Sequence, residues 1–165
     1  MSTRECRWAR SRSSTPRPGT WTARRPTSRT STFVIFHVGL PFLDETCWQL
    51  IRYPNLYASL AATINFIVRA PRMFAEILGK LLFWCGEDKI VYGSEAPIFH
   101  PQWALRAFMD FSIPQDLCDG YGYPQLTDQA KRKILGENLL RLHGMDVDAT
   151  RDRLGRPSTH GAAAT

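Results

Sequence analysis

The sequence contains no C-x-x-C pair. Its four cysteines, Cys6, Cys47, Cys85 and Cys118, stand far apart. This excludes zinc ribbons and knuckles and leaves the expectation of reduced, partly buried thiols in a cytoplasmic protein. No apolar run reaches the ~20 residues of a membrane span, because Arg52, Arg69, Arg72 and Lys80 interrupt the longest ones. No hydrophobic stretch follows Met1, so no secretory leader is expected. Histidine is scarce: His37, His100, His143 and His160 are the whole set, and none forms His-x-His. Acidic residues are almost missing from residues 1–30, where Glu5 stands alone among eight arginines. The first 30 residues carry +7 and the whole chain +6, which leaves −1 for the other 135. The basic character belongs to the N-terminal segment, and no nucleic-acid-binding face is expected on the rest.

Residues 1–31 are rich in Arg, Ser, Thr and Pro and show neither a strand nor a helix period. They are expected to be disordered, since they cannot bury enough surface to offset ordering entropy. A transit peptide would be Arg- and Ser-rich, but Pro16, Pro18 and Pro26 oppose an amphipathic helix. A basic arm for anionic partners is a second reading. The abrupt change of pattern at Thr32-Phe33 favours a third, a wrong start or shifted reading frame ahead of a real domain.

From Phe33 to about residue 148 strands and helices alternate. Strands are expected at 33–37, 55–60 and 89–93. One helix should run from a cap at Asp44 to Arg52 and another from Pro71 to Trp84, where Phe74, Ile77, Leu78, Leu81 and Leu82 make an apolar stripe. A third should start at Pro101, with residues 112–126 irregular. A last helix should be capped by Thr127, interrupted at Gly136-Glu-Asn138, and stopped by Gly144. Residues 149–165 are expected to be a disordered tail. The β-α-β-α-β-α order predicts an α/β fold with parallel strands.

Two strand ends carry candidate chemistry. Phe33-Val-Ile-Phe-His37-Val-Gly39-Leu-Pro41 delivers an imidazole, and Lys89-Ile-Val-Tyr-Gly-Ser-Glu95-Ala-Pro97 delivers a carboxylate. Parallel strands send their C-terminal ends to one face, where α/β enzymes place catalytic groups. His37 and Glu95 should therefore face each other across a cleft there and could share one ion. His100, after the third strand, and Trp103 are weaker candidates for substrate contact. Trp84, Phe99, Phe108 and Phe111 are expected to pack the core first, with Trp103 among them.

The order His37-x-Gly-x-Pro, Tyr53-Pro-Asn-Leu-Tyr57, Gly86-Glu-Asp-Lys-Ile-Val-Tyr-Gly-Ser-Glu95-Ala-Pro97 and Ile134-Leu-Gly-Glu-Asn138 resembles the C-terminal half of amidohydrolase-related proteins. The resemblance implies part of a (β/α)8 TIM barrel, about strands six to eight with the closing helices, where a whole barrel takes about 250 residues. It places His37 at the strand-six histidine and Glu95 at the strand-eight aspartate, both as catalytic and metal-binding residues. Glu95 departs from that aspartate by one methylene. The family's His-x-His pair and its strand-five histidine have no counterpart here.

The implied function is metal-dependent hydrolysis of a small carboxylated or cyclic compound, with a divalent ion, zinc by preference, in the intact homologue. This chain would be an incomplete fragment with weak or absent metal binding. The alternatives are a non-oxidative decarboxylase of the same family and an inactive fragment or interaction module. The expected partners are a small-molecule substrate and a second copy or complementary barrel half, with neither nucleic acid nor membrane.

Overall fold

A computed structural model describes residues 31–155. The expectations for residues 1–30 and for 156–165 lie outside the described residues. Strands β1 (Phe33–Ile35), β2 (Leu56–Ser59) and β3 (Ile90–Val91) form a three-stranded sheet in the order β1-β2-β3, parallel throughout. Phe33 stands opposite Leu56 and Ile35 opposite Ala58, while Ala58 and Ser59 stand opposite Ile90 and Val91. All three strands are shorter than the sequence suggests. A left-handed turn beginning at His37 bends the chain away after Ile35, and no ladder continues past Val91.

Parallel neighbours need crossovers. Helix α1 (Leu43–Arg52) links β1 to β2. Asp44 lies in its first turn and does not cap it; the cap position is Phe42, without a side-chain bond. Asp44 instead reaches across to Lys80 at 2.6 Å. The second crossover is longer. A 3-10 segment (Ala61–Asn65) and helix α2 (Phe66–Arg69) precede helix α3 (Pro71–Cys85). Pro71 occupies the first turn of α3, as its missing N–H and fixed φ favour, and Gly86 ends it at φ 70°. Phe74, Ile77, Leu78, Leu81 and Leu82 are buried, as the periodicity predicts. They meet Ala58 and Ile90 of the sheet, Leu50 of α1, and Phe108, Leu117 and Ile134 beyond it in one core. Phe74 packs edge-on against Phe108 and Phe111, with centroids 6.2 and 5.2 Å apart.

Helix α4 (Pro101–Asp110) buries Ala104 and Phe108 but leaves Trp103 68% exposed. Trp84 is also exposed, so neither tryptophan is the core residue expected. Residues 112–126 are not wholly irregular: Gln115–Tyr121 form helix α5. Gln125 clasps the two ends of this segment, accepting from Ile113 N–H at 2.6 Å and donating to its carbonyl at 2.8 Å. Thr127 caps helix α6 (Asp128–Arg132) through Ala130 N–H, at 3.1 Å.

The expected break at Gly136–Asn138 is a π-helical turn (Lys133–Glu137) that runs without interruption into helix α7 (Asn138–Leu142). The turn serves the sheet. The Ile134 carbonyl accepts from Tyr92 N–H at 2.9 Å. The buried Asn138 amide donates to the carbonyls of Glu87 and Ile90 at 2.7 and 2.8 Å. Beyond Gly144, helix α8 (Val147–Gly155) runs through 149–155, the start of the expected disordered tail. Its start is held by Asp146, which accepts from Ala149 N–H at 2.8 Å, and Arg151 ties it back to Glu137 at 2.9 Å. No residue of α8 is buried, so no apolar period marks it in the sequence.

Candidate functional site

The three segments that follow the strands gather at the C-terminal edge of the sheet. Among the described residues, four non-glycine residues have positive φ, and all four lie there: His37 at 56°, Val38 at 48°, Ala61 at 43° and Glu95 at 51°. Such conformations cost on the order of 1 kcal/mol or more each and cluster where a side chain must be aimed. Close approach of backbone supports them. A Cβ on Gly93 would sit 2.7 Å from Ser59 Oγ and 3.0 Å from Ala61 Cα, so β3 leaves the sheet pressed against the end of β2. Gly39 (φ 73°) has the Thr46 hydroxyl where a Cβ would stand.

The turns bring the two candidate side chains together. His37 Nε2 lies 3.9 Å from Glu95 Oε1. His37 Nδ1 accepts from Ala62 N–H at 3.3 Å, which orients the ring and leaves Nε2 toward the carboxylate. Neither residue closes its strand as the sequence suggests: His37 lies two residues past β1 and Glu95 four past β3. Glu95 is fixed by its own backbone, its carbonyl accepting from Ile98 and Phe99 N–H at 2.8 and 3.0 Å. The imidazole is 49% and the carboxylate 27% exposed, so both can reach a solute.

His37 also borders a cavity of about 370 Å³, with Leu40, Phe66 and Phe99 as apolar walls and Asn65 and Arg69 beside them. Among the described residues no carboxylate pairs with Arg69. Sequence reasoning missed Thr63, Asn65 and Arg69. The available signal was the position of residues 61–69, directly after a parallel strand, where α/β folds gather functional side chains. His100 and Trp103 are not among the residues lining this cavity. His100 caps α4 by accepting from Gln102 N–H at 3.3 Å, and its ring lies 5.7 Å from that of Trp103.

The family model for amidohydrolases matches residues 28–144. The chain belongs to the amidohydrolase family. No curated protein and no solved structure matches it. Amidohydrolase membership points to hydrolase-type chemistry and to a family that usually binds metal. The residues present fit such an ion only in part. Two ligands of one tetrahedral zinc lie about 3.4 Å apart, given Zn–N and Zn–O lengths of about 2.0–2.2 Å, and the 3.9 Å pair is close to that separation. A catalytic zinc takes three protein ligands, however, and no group of three candidate ligands occurs among the described residues. His37 and Glu95 do not make a metal centre by themselves.

Proposed function

We propose that the protein carries the strand-six-to-eight portion of an amidohydrolase (β/α)8 barrel and contributes one side of a site for a small carboxylated or cyclic compound. The observation that carries this reading is the convergence of His37 and Glu95, 3.9 Å apart, from two turns at the C-terminal edge of a parallel sheet. Barrel enzymes build their sites at that edge. Glu95 can take a proton from an attacking water, with His37 Nε2 beside it to hold or return one. Arg69 offers a guanidinium fork to a substrate carboxylate, and the apolar cavity walls suit a ring or short chain.

The divalent ion of the family, zinc by the character of an imidazole and a carboxylate donor, would need ligands beyond this pair. In this reading the chain alone binds it weakly and turns nothing over. The missing donors and strands would come from a second copy or a complementary barrel half. Among the described residues β1 pairs with β2 alone, and barrel closure would set a further strand on its free edge.

Calorimetric titration of the protein with benzoate tests the substrate side. Weak, millimolar-range binding that disappears in Arg69→Ala is expected. Equal binding by wild type and Arg69→Ala would contradict the assignment of that cavity. Lactone hydrolysis and aromatic-acid decarboxylation by the chain alone should both be undetectable, and turnover in either assay would overturn the incomplete-site reading.

A further inference from the structure

A second pair of reactive side chains meets away from this edge, where α1 packs against α3. Cys47 of α1 is 2% exposed. Cys85, the last residue of α3, is half-buried at the rim of the same contact and leads into the N-terminal end of β3, opposite the His37 edge. Cys85 Sγ lies 4.0 Å from the Cys47 carbonyl oxygen, a long contact available to the thiol form. Once deprotonated, Cys85 accepts instead from the Cys47 S–H. That bond lowers the Cys85 pKa against the opposing effect of burial, with further help from the Lys89 ammonium. The same bond, together with burial, holds Cys47 well above the usual thiol range. Lys89 is fixed in place by the carbonyls of Tyr53, Pro54 and Leu56, at 3.3, 2.5 and 3.2 Å. The neighbouring residues Trp48 and Trp84 meet at the surface, their rings tilted by 40° with centroids 5.2 Å apart, a second contact between the same two helices.

We propose that Cys47 and Cys85 form a peroxide-sensitive thiol pair that closes to an intramolecular disulfide, with Cys85 reacting first and Cys47 resolving. The roles follow from placement: Cys85 is half-buried at the rim and reachable from solvent, whereas Cys47 is enclosed, 2% exposed. In the first step the Cys85 thiolate attacks one peroxide oxygen. The O–O bond breaks, and the hydroxide released takes a proton from solvent to leave as water, giving Cys85 sulfenic acid. In the second, Cys47 sulfur attacks Cys85 sulfur, the S–O bond breaks, and the hydroxyl departs with the Cys47 proton as a second water. Two thiols are oxidised by two electrons and one peroxide is reduced. The product ties α1 to α3 across a sequence separation of 38 residues, which restricts the unfolded chain and makes stability depend on redox state.

The test exposes the full chain to a slight excess of hydrogen peroxide, alkylates the remaining thiols and maps the peptides. The expected result is a Cys47–Cys85 linked peptide, a loss of the mass of two hydrogen atoms, and reversal by dithiothreitol. The melting temperature should rise and the Trp48–Trp84 fluorescence should change on closure. Cys47→Ser should stop at a Cys85 sulfenic acid trapped by dimedone, and Cys85→Ser should form no link. Linkage through Cys6 or Cys118 in the wild-type chain would overturn the proposal. So would full alkylation of both Cys47 and Cys85 after an exposure that oxidises glutathione completely, a measurement that needs no variant.

Discussion

Asn138 is a single amide that joins two parts of the fold. It donates to the carbonyls of Glu87 and Ile90, and its own oxygen accepts from Arg141 Nη1 at 3.2 Å. The motif that contains it was legible in the sequence as an irregularity of the last helix; the two carbonyls it serves were not, because they lie about 50 residues upstream. Asn138→Ala takes this donor from the buried Ile90 carbonyl, while the Glu87 carbonyl keeps the Ile90 N–H, and should cost about 1–3 kcal/mol in urea unfolding. Asn138→Asp should be at least as damaging, since an acceptor would face acceptors. Gly79 gives a second residue-scale prediction. A Cβ there would stand 2.3 Å from Tyr123 Cδ2. Gly79→Ala would gain about 1 kcal/mol of helix propensity, yet the displaced ring should turn this into a net loss of about 1–2 kcal/mol. Combining it with Tyr123→Ala should relieve part of the clash, so the two changes should not add. An additive double variant would show that the glycine is not there for the ring.

At the scale of elements, signals that act within a few residues were the readable ones. Pro71 and Pro101 start helices, Thr127 caps one, and Gly86 and Gly144 end two. The 3.6-residue stripe of α3 identified its buried face. What stayed hidden depends on distant partners or on polar surface. The 61–69 segment has no side-chain cap at its start. Helix α5 lies between two prolines that look like loop. The π-helical turn gives Ile134's carbonyl to Tyr92 N–H, just past β3. The 3-10 turn that starts β3 carries its own pH dependence. Glu87 is held below the usual carboxylate range, first by its own backbone N–H and then by Lys133 at 3.0 Å. A depressed folded-state pKa adds stability above the ordinary value of 4.5, and that stability is lost as pH falls through the lowered value. Urea midpoints followed from about pH 6 to pH 3 should therefore drop, and less steeply in Lys133→Ala, which removes the second of the two causes. An identical slope in the variant would show that the ion pair contributes nothing there.

For the whole molecule, the parallel order of the strands did more than any motif. It alone sends His37 and Glu95 to the same edge, and the family resemblance then gives that meeting a chemical meaning. The two side chains converge at one edge, 3.9 Å apart, as strand-end logic expects, although both sit on turns beyond the strands. The cavity and Arg69 were not foreseen, since they depend on how residues 61–69 fold back over the edge. The central claim is that this edge is one side of an amidohydrolase site that the chain does not complete. Calorimetric titration of the protein with zinc, beside the His37→Ala and Glu95→Ala variants, tests it most directly. Two converging donors predict weak binding, with a dissociation constant well above the micromolar range, and further weakening in either variant. Tight one-to-one binding that survives the loss of His37 would contradict the claim, because the ion would then be held by residues elsewhere in the chain.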